Sequence, residues 1–518
     1  MGDNNYNKRI SAFEPMTLLI GTIFSVLSAI ICMQILGKVG ISANTSIIGA
    51  VFAMALSRLP IKSFSKFRSL ERQNYIQTIV SGSGFAASNC ALSAVAIIFV
   101  LGDDSFILPM LFGSCIGIVV SIFVIGMLFD SNLFPAEGSW PQGVATAEAL
   151  EAGDKGGEKA KRLLQGIVVG AIGSAFHLPA AGVGIVFIAN IISMLALGIG
   201  LLLRGYSHLI ISGFDLGQTY IPHGFMIGAG LVALIQSIII VLRGKKSTNA
   251  VNSTTSKTET NKNIKVTILL YLLSTIIIAL TSGLYNEMSV GMLILWIIWA
   301  TFSAFTSVII VGMASMHSGW FPAFAITTIF MMIGVLLGFP TIPLAILTGY
   351  VSSTGPCFAD MGYDLKTGWI IRGEGTDVIK EAYGKKQQVL IEVLGSVIGV
   401  IVVWLTMNMY FEQDLIPPVS KVFATTITAG VNPGLVKVLL IWAIPGAIVQ
   451  ALGGASNMIG VLFATGLLIN NPIYGIGVIF ACILRLIIGD SFMEIRDAGL
   501  IAGDGIYGFI SVLIKSII

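Results

Sequence analysis

Charge is scarce in this sequence: only 11% of its 518 residues are Asp, Glu, Lys or Arg, where a soluble domain carries about 25%. That shortage excludes a soluble enzyme held by an anchor, and a net charge of +3 points to no nucleic-acid partner. Cysteine and histidine are also few. The five cysteines (Cys32, Cys90, Cys115, Cys357 and Cys482) sit in or beside apolar runs without CxxC spacing. They read as free thiols packed in helices. His177, His208, His223 and His317 form no HxxxH or HExxH pair, so no metal bound by the protein is expected. Walker A, GxSxG and the glycine-rich dinucleotide turn are missing too. No catalytic residue and no cofactor is therefore expected, and ATP-driven transport would need a separate subunit. An intramembrane aspartyl protease also fails. Tyr363-Asp364 offers one of its motifs, but Ile501-Ala502-Gly503-Asp504 lacks the leading glycine of the other. The amino terminus lacks a signal-peptide n-region and misses the myristoylation pattern after Gly2, so the first apolar run should be retained.

What is abundant is apolar. Hydrophobic residues make up 55% of the chain and the mean hydropathy is +0.91. A helix that crosses a bilayer needs about 20 mostly apolar residues, and runs near that length recur from residue 16 to residue 517. The expected fold class is all-α: a polytopic membrane helical bundle of about 14–16 transmembrane segments, in two halves with broken or re-entrant helices. The halves are 1–243 and 265–518. Between them, 244–264 is rich in Ser, Thr, Asn and Lys and reads as a flexible cytosolic linker. Basic residues cluster near 8–9, 58–72, 155–162, 243–265 and 366–386, and the acidic turn Asp103-Asp104 lies opposite them. The positive-inside rule then puts the N-terminus in the cytosol. Segment 205–221 conflicts with simple alternation and is expected to re-enter the membrane.

Asp130–Asp154 breaks the apolar pattern with Pro, Gly and carboxylates. Broken backbone at membrane depth survives only inside protein or along a watery cavity, and in transporters it marks substrate sites. Phe134, Pro135, Glu137, Gly143, Thr146 and Glu148 become pathway candidates. Glu148 could face the cavity or cap its own helix. In the third run, Asn74, Gln77, Thr78, Ser81, Phe85, Ser88 and Asn89 share one helical face. That face is either interhelical glue or pathway lining. Met313–Ala323 breaks a second helix and carries His317 and Trp320. His317 either carries a coupling proton or is held by a neighbouring carbonyl. In Asp360–Gly375, the bland reading pairs Asp360 and Asp364 with Lys366 and Arg372 in a solvated cytosolic cap. Arg485 and Asp504 lie within apolar runs and are functional candidates by default, or else a mutual ion pair.

At these residues the chain resembles the oligopeptide transporter family, including its yellow-stripe-like branch of metal-chelate carriers. Glu71, Asn74, Gln77 and Thr78 resemble the opening of that family's third span. Phe134-Pro135 and Gly143–Ala149 resemble its FP and GxAxAE block, here separated by Gly138–Gln142. Asp364–Trp369 (DLKTGW) and Ala498–Gly505 resemble two further motifs, and Asn432-Pro433-Gly434 resembles a eukaryotic tripeptide. The resemblance implies a prokaryotic secondary carrier in the inner (plasma) membrane, with protons as coupling ion and alternating access around a central cavity. It implies import of small oligopeptides, with metal chelates as the alternative substrate. A channel-like facilitator is the rival mechanism. The implied partners are a small peptide or peptide-like metal chelate, the lipid bilayer and, from the family alone, a second copy in a homodimer.

Overall fold

In the computed structural model, residues 10–40, 45–57, 62–154, 158–188, 190–244, 257–318, 321, 323–430, 433–454, 457–493 and 495–517 are described. The first half runs α1 (Pro15–Val39), α2 (Thr45–Ser57), α3 (Leu70–Phe85), a π-helical stretch (Ala86–Leu92), α4 (Ser93–Leu101), α5 (Ile107–Leu128) and α6 (Pro141–Asp154). It continues with α7 (Glu158–Ala175), α8 (Ala180–Ile188), α9 (Ile191–Ile210) and α10 (Ile221–Gly244). The second half runs α11 (Lys257–Thr281), α12 (Leu284–Glu287), α13 (Val290–Ser318), α14 (Ala323–Leu336), α15 (Thr341–Ile371) and α16 (Val378–Phe411). It ends with α17 (Pro418–Ala429), α18 (Pro433–Gly453), α19 (Ile459–Leu468), α20 (Pro472–Ile488) and α21 (Arg496–Ile517).

Among the described residues, 8 helices are long and apolar enough to cross a membrane, and four further apolar helices have only 10–17 residues. The bundle is thus polytopic, all-α and built partly from broken helices. Residues 205–210 continue α9, and 211–220 form a loop with one 3-10 turn before α10. Gly205 does not break α9 because it is a packing contact: a Cβ there would stand 2.5 Å from Pro472. In the loop, Asp215 pairs with Arg204 at 3.0 Å. Helix α11 starts at Lys257, so residues 257–264, expected in the linker, are helical; 245–256 lie outside the described residues.

The centre of the molecule is α15. It has 31 residues, and every one from Pro343 to Trp369 is buried; at 1.5 Å per residue it is about 46 Å long. It is absent from the apolar candidate spans because protein, not lipid, surrounds it: α3, α4, α5, α6, α13, α14 and α16 all pack on it. The outer helices carry the lipid-facing side chains instead, such as Leu19, Phe112, Ile298, Trp404 and Ile444. Close approach of backbones, the driving geometry of helix pairing in lipid, depends on glycine. A Cβ at Gly395 would lie 2.2 Å from the Ile79 carbonyl oxygen, and one at Gly503 2.1 Å from that of Ile167. The first contact presses α16 onto α3. The second presses the GLIAGDG stretch of α21 onto α7.

Candidate functional site

Along α15, Ser352, Pro356, Asp360 and Asp364 recur every four residues, so they form one slowly winding stripe. Its lower part meets α16 and α3. One oxygen each of Asp360, Asp364 and Glu392 lies within 4.8 Å of the others, and all three side chains are buried. At an effective dielectric of about 20, two full charges that close repel by roughly 3 kcal/mol or more. Yet among the described residues no Lys or Arg forms a salt bridge with any of the three. Neutral donors serve the aspartates. Thr45 Oγ1 donates to Asp360 at 3.1 Å, Ser46 Oγ to Asp364 at 2.8 Å and Gln77 Nε2 to Asp364 at 2.6 Å. The Ser81 hydroxyl stands 3.3 Å from Asp360 Oδ1. Asp364 Oδ2 and Glu392 Oε2 have no hydrogen-bond partner.

A relay runs from the group to the basic end of the bundle. Gln388 Nε2 donates to the Asp364 carbonyl at 2.8 Å and to Thr78 Oγ1 at 3.1 Å. Arg372 Nη1 donates to Gln388 Oε1 at 2.6 Å and holds Glu381 through two bonds of 2.7 and 2.8 Å. The expected solvated cap over Asp360–Gly375 is thus overturned. Asp360, Asp364, Lys366 and Arg372 are 2%, 0%, 6% and 5% exposed, because this segment continues α15 into the protein. It does not leave the membrane as a loop.

In the other direction the stripe opens into a cavity of about 300 Å³ lined by Ser352 and Pro356. Its polar side chains are few, chiefly Asn89, Ser93 and Thr465, and among the described residues no Asp, Glu, Lys or Arg lines it. The rest is apolar, with Met194, Met226 and Met458 among the linings. Three features make its backbone polar. The first turns of α14, α17 and α19 border it, and helix starts carry partial positive charge; at α19 the Gln450 Oε1 already accepts from Gly460 and Val461. Pro356 has no N–H to give the Ser352 carbonyl. The π-helical turn, a device frequent at functional sites, brings Asn89 to the wall.

The residues expected from sequence divide sharply. Gln77 touches the carboxylate group, and Asn74 Nδ2 holds Gln77 Oε1 at 3.1 Å. The polar face of α3 makes interhelical bonds near Ser81, and Asn89, in the π-helical stretch that follows, lines the cavity. Phe134, Pro135, Gly143 and Thr146 are buried but border the base of α15, not the cavity. Lys366 Nζ donates to the Ala136 carbonyl at 2.8 Å, and Thr367 Oγ1 to that of Gly143 at 2.9 Å. Trp140 packs edge-on to Tyr363 at 6.2 Å. This loop meets the second helix break directly: Trp140 N and Ser139 Oγ donate to the Met316 carbonyl at 2.8 and 2.7 Å. Glu137 and Glu148 are exposed, so Glu148 neither faces the cavity nor meets the buried carboxylates. The His317 side chain and Trp320 lie outside the described residues.

Arg485 and Asp504 do not pair with each other. Asp504 Oδ2 takes the Tyr474 hydroxyl at 2.6 Å and Lys38 Nζ at 3.5 Å. Arg485 pairs with Asp490 at 2.7 Å and bonds the Val186 carbonyl. Sequence reasoning missed Glu392 altogether and misjudged Asp360 and Asp364. The signal was there in the four-residue recurrences Ser352/Pro356/Asp360/Asp364 and Gln388/Glu392.

Comparison with known proteins agrees with this architecture. No curated protein matches the chain. A family model described as OPT oligopeptide transporter protein matches residues 15–196 and 206–515, nearly the whole length. The chain belongs to the OPT oligopeptide transporter family and is a multi-pass membrane transporter of oligopeptides or related substrates.

Proposed function

We propose that the protein is a secondary active carrier that imports small oligopeptides together with protons. One observation carries this reading: on a single buried helix, an uncharged cavity lies one turn, about 6 Å, from a group of buried carboxylates. A cavity of about 300 Å³ is at the small end of ligand pockets and suits a di- or tripeptide. The peptide carboxylate would meet the first turns of α14 and α17. A peptide N–H would bond the Ser352 carbonyl that Pro356 leaves without a helical donor. Met194, Met226 and Met458 offer adaptable surface for varied side chains. The basic ends marked by Arg72 and Arg372 support a cytosolic N-terminus in the plasma membrane, which sets the carboxylates between cavity and cytosol.

The test is uptake of labelled trialanine into proteoliposomes under an inward proton gradient. Accumulation above the external concentration, abolished by a protonophore, is expected. Uptake that stops at equilibrium would indicate a facilitator. Ferric or nickel chelates that stabilise the purified protein where peptides do not would contradict the substrate assignment.

A further inference from the structure

Three buried carboxylates need a reason to be tolerated, and the hydrogen bonds divide them unequally. Asp360 and Asp364 each accept from neutral donors on α2 and α3. Donors aimed at a carboxylate favour its ionised form. Glu392 is 1% exposed and its Oε2 has no partner. The one other carboxylate oxygen of the group without a partner is Asp364 Oδ2. One oxygen of each residue lies within 4.8 Å of the other, and a proton there would supply the donor both lack, since a carboxyl O–H is a donor where a carboxylate is only an acceptor.

We propose that Glu392 and Asp364 share one exchangeable proton, and that this pair is where the carrier holds its coupling ion. The second clause rests on the transporter reading above; the first does not. The packing explains why the site can respond to a change of state. Glu392 belongs to α16, Asp364 to α15, and the donors to α2 and α3, so any sliding of α16 against α15 makes or breaks the shared bond. Gly82 lets α16 approach: a Cβ there would stand 2.5 Å from Glu392 Cγ. Among the described residues, Asp360 and the Cys357 thiol on α15 act on the pair, while Tyr363 on α15 and the Cys32 thiol on α1 act on Asp360. Arg372, a cation of the bonded network, reaches only the Asp364 backbone carbonyl, through Gln388. A cation held directly at the pair would remove the need for the proton, which makes the two alternatives experimentally separable.

Infrared difference spectra of the purified full chain, recorded while the buffer is taken from acid to alkaline, read the proton without any substrate. The expected result is a protonated buried-carboxyl band in the wild type that titrates away and is missing from E392Q. Absence of that band in the wild type, or its survival in E392Q, would overturn the proposal. So would its suppression by sodium, calcium or manganese at constant pH, which would mark a metal-cation site. In proteoliposomes, E392Q should lower proton-driven trialanine accumulation at least tenfold, while trialanine exchange at equal pH on both sides falls far less. Accumulation by E392Q at the wild-type level would overturn the coupling assignment. A wild type that shows the band but moves no trialanine would instead overturn the transport reading and leave the shared proton standing. Glu148→Gln, an exposed change, should alter neither readout.

Discussion

Among the buried carboxylates, Asp504 on one side and the Asp360, Asp364 and Glu392 group on the other differ in what neutralises them. Asp504 on α21 meets a cation, Lys38, and a phenol, Tyr474, on one oxygen. Its charge is answered locally, and its surroundings tie α21 to α1 and α20. The Asp360, Asp364 and Glu392 group holds three carboxylates and, among the described residues, no cation in contact. Its surroundings are hydroxyls and amides, and two of its oxygens have no partner. An intramembrane charge that is paired reads as architecture; one left unanswered reads as a site that must take something up. Depth in an apolar run does not distinguish the two. Neutralisation does.

That contrast breaks first at transport. Asp364→Asn should lower proton-driven accumulation by roughly tenfold or more, as removal of an essential intramembrane carboxylate does, while Asp504→Asn leaves it within about twofold; initial uptake rates at matched protein levels check this. The reverse pattern would invert the assignment of the two sites. The next largest effect is on stability. Asp504→Asn turns the charged acceptor of the Tyr474 bond into a neutral amide and leaves Lys38 without its counter-charge, a loss of about 2 kcal/mol, readable as a lower thermal midpoint in detergent. Glu392→Gln should show no such loss, because the amide N–H can donate toward Asp364 where the shared proton stood.

Smaller still is the effect of the loop at the base of α15. Lys366→Met removes the bond to the Ala136 carbonyl and should cost about 1.5 kcal/mol, seen as faster proteolysis within 130–140, with peptide affinity unchanged. A large change in affinity would restore that loop to the pathway. The smallest effect is at the N-terminus of α1. Glu14 pairs with Arg72 at 2.8 Å and with Lys66 at 3.5 Å, and chiefly the Arg72 bond holds its carboxyl below the ordinary 4.5. Because the folded value is depressed, this stabilisation is present above the unfolded value and is lost as pH falls through the folded one. Glu14→Gln should therefore cost up to about 1 kcal/mol at neutral pH and nothing in strong acid, as melting curves across pH would show.

The membrane class, the helical fold and the polar face of α3 were legible in the sequence because composition and period express them directly. Burial inside a membrane protein was not. Asp360 and Asp364 sit seven residues or fewer from Lys366, a neighbourhood that resembles a solvated helix end, and only α3, α5, α13 and α16 packed around α15 show that it is interior. Asp504 drew attention for the opposite reason: its flanks are apolar, and Lys38, the residue that answers it, is 466 positions away in the chain. The Asp130–Asp154 stretch was conspicuous for its prolines and glycines, and the structure uses them to turn a clasp around α15 and Met316. Glu392 was hidden because the four-residue Gln388/Glu392 recurrence is a weak signal inside a long helix. Its meaning depends on the four residues that bring Gln388 and Glu392 to one face, and on a partner helix.

The most direct test is the pH inside proteoliposomes when trialanine is added outside without an imposed gradient. The account predicts substrate-dependent acidification of the lumen by the wild type and none by Asp364→Asn. Trialanine entry with no movement of protons in the wild type would contradict it.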